Sequence, residues 1–87
     1  MNYRKLFLIS ERDRKFDEYL DTLDKIAIWK AKTNTIADFH QRRSNIQLVE
    51  VLETALKEIS TKLVYYDIAI NYPEAINNTY YRILETN

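Results

Sequence analysis

Cysteine and glycine are both absent from this 87-residue chain, and Pro73 is its one proline. Without cysteine there is no disulfide framework and no thiolate metal site. The single histidine, His40, cannot assemble an imidazole site by itself. Hairpin turns, phosphate loops and nucleophile elbows lean on glycine for positive φ or close backbone approach. Its absence argues against Rossmann, P-loop and tight β-meander folds together. An excess of charge is missing too, since 13 Lys and Arg balance 13 Asp and Glu. Nucleic-acid affinity comes largely from counterions released by a basic surface, so neutrality disfavours that class of partner. Long apolar runs are also lacking. Leu6-Phe7-Leu8-Ile9 follows the basic start Arg4-Lys5, but a signal peptide needs roughly 7–15 apolar residues there and a membrane span about 18. These absences predict a cytosolic protein with no membrane partner, metal, cofactor or small-molecule substrate.

What is present is a helix plan in one domain. A chain this short buries only about 60% of its unfolded surface and is marginal without disulfides, metal or oligomerisation. Oligomerisation is the one of the three left open. The richness in Ile, Asn, Lys and Tyr is what AT-rich coding produces, as in many phages and low-GC bacteria.

The pattern predicts a first helix over 11–32, a second over 36–71 and a short third over 74–85, after an N-terminal arm over 1–9 in which Leu6-Phe7-Leu8-Ile9 could equally be a short strand or a helical turn. Ser10, with Glu11 and Asp13 behind it, offers an N-cap. Phe16, Tyr19, Leu20, Leu23, Ile26 and Ala27 then fall in one arc about 120° wide. Thr33-Asn34-Thr35 combines cap-prone residues with poor helix formers. The next helix starts near Ile36 or restarts at Ser44, where Ser44-x-x-Gln47 resembles a capping box. From Val49 the signal is clearest. Val49, Leu52, Leu56, Ile59, Leu63, Tyr66 and Ile70 alternate spacings of three and four over three heptads, as a bundle helix or a coiled coil would. Val64, Ile68 and Tyr72 recur every four residues on another side, beside Tyr65. Pro73 ends the helix, and Ile76, Tyr80, Ile83 and Leu84 share one side of the third.

No catalytic constellation stands out. The acidic row Asp13, Asp17, Asp21 and Asp24 is interleaved with Arg14, Lys15 and Lys25, as a solvated face would be. Glu50-x-x-Glu53 has half of a metal-site spacing with no matching acidic pair elsewhere. His40, Arg42 and Arg43 form the one dense cationic cluster, a candidate anion or nucleic-acid contact, although neighbouring arginines diverge by about 100° on a helix. The C-terminal tyrosines lack the interleaved cations of a base-stacking platform. Trp29 and Ile28 lie outside the first helix's apolar arc, and tryptophan is enriched at interface hot spots.

The expected architecture is therefore all-α: an antiparallel helical hairpin with a long central helix, a short third helix and assembly into an oligomeric bundle. A first helix of ~33 Å beside a second of ~54 Å leaves part of the heptad stripe overhanging. The function this favours is a protein-protein interaction module, a regulator, inhibitor or adaptor that self-associates as a homodimer. Its expected interface is Ile28, Trp29, Val64, Tyr65, Ile68 and Tyr72. A nucleic-acid-associated dimer using Arg42 and Arg43 is the alternative. A small all-α enzyme with an inter-subunit site is the second alternative.

Overall fold

The computed structural model describes residues 3–75 and Leu84. Among these residues the chain is all-helical. Helix α1 (Tyr3–Thr35) and helix α2 (Phe39–Asn71) have 33 residues each, and a single 3-10 turn, Pro73–Ala75, follows. The two long helices pack against each other in antiparallel fashion. Leu8, near the start of α1, lies among Tyr66, Ala69 and Ile70 near the end of α2. The result is a rod of 57 × 21 × 16 Å with a radius of gyration of 17.1 Å, whereas a compact domain of this length has about 12 Å.

Residues 3–9 are the first turns of α1 and not a separate arm. The local preference for a cap at Ser10 is worth about 1 kcal/mol. Burying Leu8 beside Tyr66 and Ile70 is worth ~1.5–3 kcal/mol, so tertiary packing carries the helix through Ser10. Glu11 pairs with Arg14 in place of a capping role. The overhang expected from unequal helices therefore does not arise, because both span ~50 Å. The predicted third helix lies outside the described residues, except for the Pro73–Ala75 turn and Leu84, which is helical and buried.

The turn is three residues, 36–38. Thr35 Oγ1 donates to the carbonyl of Lys32 at 2.9 Å, and the Ile36 N–H reaches the Thr33 carbonyl at 3.3 Å. Asp38, with extended φ −70° and ψ 122°, is the N-cap of α2: its carboxylate accepts the Gln41 N–H at 2.9 Å. Neither Ile36 nor Ser44 starts the helix. Asp38-x-x-Gln41 is itself a capping pattern, and it sits closer to the break than Ser44 does. At the far end the Tyr72 N–H closes α2 on the Ile68 carbonyl at 2.7 Å, and Pro73 stops it.

The heptad stripe of α2 is the seam. Val49, Ile59, Tyr66 and Ile70 are buried, and Leu52, Leu56 and Leu63 are half-buried. On α1 the seam does not follow the middle of the apolar arc. It follows Leu8, Lys15, Thr22, Ile26, Trp29 and Thr33, the side of the helix that includes only the edge of that arc. Two threonines face a neighbouring helix at little cost because their hydroxyls bond within the helix. Thr22 donates to the Glu18 carbonyl at 2.8 Å and Thr33 to that of Trp29 at 2.7 Å. The Lys15 stem lies along the seam and its ammonium reaches Glu18 at 3.0 Å. Asn45, also buried, accepts from the Gln41 amide at 3.0 Å.

The densest packing lies at the open end of the hairpin. Leu8, Tyr66, Ala69, Ile70 and Leu84 form one cluster, with Ile9, Tyr65 and Ile68 leaning on it. Tyr66 is 2% exposed, and its hydroxyl donates to the Leu84 carbonyl at 3.0 Å. Burial pushes the Tyr66 phenol above its ordinary pKa; the charge of Glu11 adds to this and Arg14 opposes it.

Candidate interaction surface

A two-helix layer has a seam and two broad sides, and a narrow seam cannot take in an apolar arc about 120° wide. Once α1 turns its Thr22–Thr33 edge to α2, the centre of the arc faces outward. Phe16, Leu20 and Leu23 are 49%, 45% and 37% exposed, and Ala27 is exposed beside them. These four side chains span about 60° of α1, a continuous ridge over three turns.

The ridge lies on the same broad side as an ion pair and a cleft near the turn. Lys30 Nζ is 3.2 Å from Glu53 Oε1 across the two helices. Lys30, Asn34, Arg42, Ile46 and Glu53 line one cleft. Phe16 and Asn34 are five helical turns apart and so share a side of α1. Ile46 and Val64 stand in the same relation on α2. Ile46 and Val64 are exposed there, with Glu53 and Lys57 between them.

The interface residues expected from sequence are divided by the fold. Ile28, Val64 and Tyr72 are exposed. Tyr65 and Ile68 are half-buried against the open-end cluster, so part of the strip that Val64 and Tyr72 belong to is taken up internally. Trp29 is half-buried at the edge of the seam, with the Lys32 ammonium 4.7 Å from its ring centroid, a cation–π contact. The six residues do not form one surface. Phe16, Leu20, Leu23 and Ala27, part of the apolar arc read from the sequence, form a continuous exposed ridge. The width of their arc, greater than one neighbouring helix can cover, is the sequence signal for that.

His40, Arg42 and Arg43 are all exposed in the first turn and a half of α2. The His40 ring stands edge-on to Phe39, with centroids 5.7 Å apart. Arg42 lines the cleft together with Lys30, Glu50 and Glu53, and Arg43 is not part of that lining. Asp13, Asp17, Asp21 and Asp24 are exposed, with Asp13 on Arg12 at 3.1 Å and Asp21 on Lys25 at 3.2 Å. Among the described residues no group of three or more His, Asp or Glu side chains is placed to hold a metal ion. No helix formed by the described residues is long and apolar enough to cross a membrane.

Comparison with protein-family models, with curated proteins and with solved structures finds no match for this chain. The fold and the surface define it only as a helical hairpin with an exposed apolar side.

Proposed function

We propose that this chain is a small protein-protein interaction module, a cytosolic regulator, inhibitor or adaptor that presents a rigid apolar helix face and self-associates. The observation that carries the reading is the Phe16–Leu20–Leu23–Ala27 ridge, exposed along a rod whose helices are held by a seam on another side. Large contiguous apolar patches on small proteins mark contact sites. The exposed Ile28, Val64 and Tyr72 add apolar area outside the ridge.

The test is cross-linking capture from native host extract with the wild-type chain and with Leu20→Asp, a substitution at an exposed site that should keep helicity. A protein, or a second copy of the chain, retained by wild type and lost with Leu20→Asp supports the reading. Equal retention by both chains, or cross-linking to neither protein nor self, overturns it. Retention of DNA or RNA that weakens steeply with salt would replace it with a nucleic-acid role through Arg42 and Arg43.

A further inference from the structure

We infer that the ridged side of the hairpin is a homodimer interface, closed by a second copy of this chain in antiparallel, two-fold symmetric packing to give a four-helix bundle. The inference rests on the interaction-module reading and names its partner.

The first argument is area. The chain exposes 6561 Å², whereas a compact monomer of its 10.5 kDa mass exposes about 5,400 Å². The rod shape thus leaves roughly 1,100 Å² per chain above the compact value, and covering that much on both copies would reach the low end of obligate homodimer interfaces, about 2,000–5,000 Å². Among the described residues no side chain is fully buried in the single copy, as when a bundle core is divided between subunits.

The second argument is self-complementarity. An isologous contact requires that each residue meet a suitable one across the axis. On α1, an axis passing between Asp21 and Thr22 sets Leu20 opposite Leu23 of the second copy and Phe16 opposite Ala27, a large side chain against a small one. On α2, an axis through Ala55 sets Glu53 opposite Lys57 and Ile46 opposite Val64. These four α2 residues share about 40° of helix. Both series are thus complementary under reversal, one in size and one in charge.

The third argument is the hairpin register. Leu8 lies among Tyr66, Ala69 and Ile70, and Lys30 pairs with Glu53 across the two helices. Counting inward from these two contacts at equal rise places the Asp21–Thr22 step of α1 between Ala55 and Thr61 of α2. One two-fold axis, running across both helices in the plane of the contact, therefore passes through the α1 series and within about two turns of the centre of the α2 series.

Light scattering on size-exclusion chromatography tests the state, and mixed disulfides test the geometry. Wild type is expected at twice the chain mass. Leu20→Asp combined with Leu23→Asp is expected at the single-chain mass with its far-UV circular dichroism kept, while Val51→Asp, off the ridge, stays dimeric. In a chain without native cysteine, Phe16→Cys mixed with Ala27→Cys should oxidise to the mixed disulfide in preference to either homodisulfide. A wild-type monomer at high concentration overturns the proposal. So does a dimer that survives the double aspartate, or a preference for the Phe16→Cys homodisulfide. If the double variant loses its helicity, the disulfide ratio decides. A monomer that still captures a protein through Leu20 overturns the dimer and leaves the interaction-module reading standing.

Discussion

Replacing Tyr66 with phenylalanine isolates one hydrogen bond in the best-packed part of the rod. The ring, 2% exposed among Leu8, Ala69, Ile70 and Leu84, keeps its packing. What is lost is the 3.0 Å bond from the hydroxyl to the Leu84 carbonyl, leaving a buried acceptor unpaired at a cost of ~1–3 kcal/mol. A domain of this length has a total stability of roughly 4–13 kcal/mol, and each kcal/mol moves Tm by about 4–8 °C. Tyr66→Phe should therefore melt at least ~4 °C below wild type. Melts are followed by far-UV circular dichroism at matched chain concentration, because any self-association makes Tm concentration-dependent. The same substitution has a pH signature. Burial raises the folded pKa of Tyr66, so the unfolded chain loses the phenolic proton first as pH climbs. The stability tied to this group is complete below about pH 10, the ordinary tyrosine value, and is lost as pH rises through the folded one. Tyr66→Phe removes that loss and flattens the alkaline limb of the stability profile. A variant with unchanged Tm and an unchanged alkaline limb would refute both the bond and the burial argument.

Three further outcomes are expected. Asp38→Ala removes the carboxylate that caps α2 through Gln41 and should cost about 1 kcal/mol in urea unfolding, with Asp38→Asn recovering most of it. Ile59→Ala empties a buried position at the middle of the seam and should cost ~2–5 kcal/mol, enough to leave a measurable unfolded fraction at moderate temperature. Lys30→Ala breaks the 3.2 Å pair with Glu53, whose side chains are both about half exposed. Stability should change by no more than ~1 kcal/mol, and a larger loss would mean that the pair is more sheltered than its exposure implies.

The part of the fold that was legible in the sequence is the part fixed by periodicity. The alternating spacing from Val49 to Ile70 marks the face that α2 buries, because apolar residues at that period leave only one side of a helix to hide. That the chain turns back near its middle was legible, but Thr33-Asn34-Thr35, where the break was expected, is the last turn of α1 and the turn is 36–38; the stop at Pro73 follows from its missing N–H. The start of α1 was not legible, because Leu6-Phe7-Leu8-Ile9 is too short to carry a period and its helicity depends on Leu8 meeting Tyr66 and Ile70. The position of the seam on α1 was equally hidden. Thr22 and Thr33 carry no apolar signal, and they sit in the seam with their hydroxyls bonded inside the helix.

For the surface the balance is similar. Sequence placed the surplus apolar area at Ile28, Trp29 and the Val64–Tyr72 strip. The fold exposes Ile28, Val64 and Tyr72, half-buries Trp29, Tyr65 and Ile68, and turns Phe16, Leu20 and Leu23 outward. Composition and spacing alone determined that this chain is helical and closes no disulfide or thiolate metal site. Those properties reside in single residues and in short-range period. Only the tertiary structure decided which edge of the α1 arc meets α2, and hence which side chains are left outside. That choice depends on the height and rotation of one rod against another, which no local pattern along the chain records.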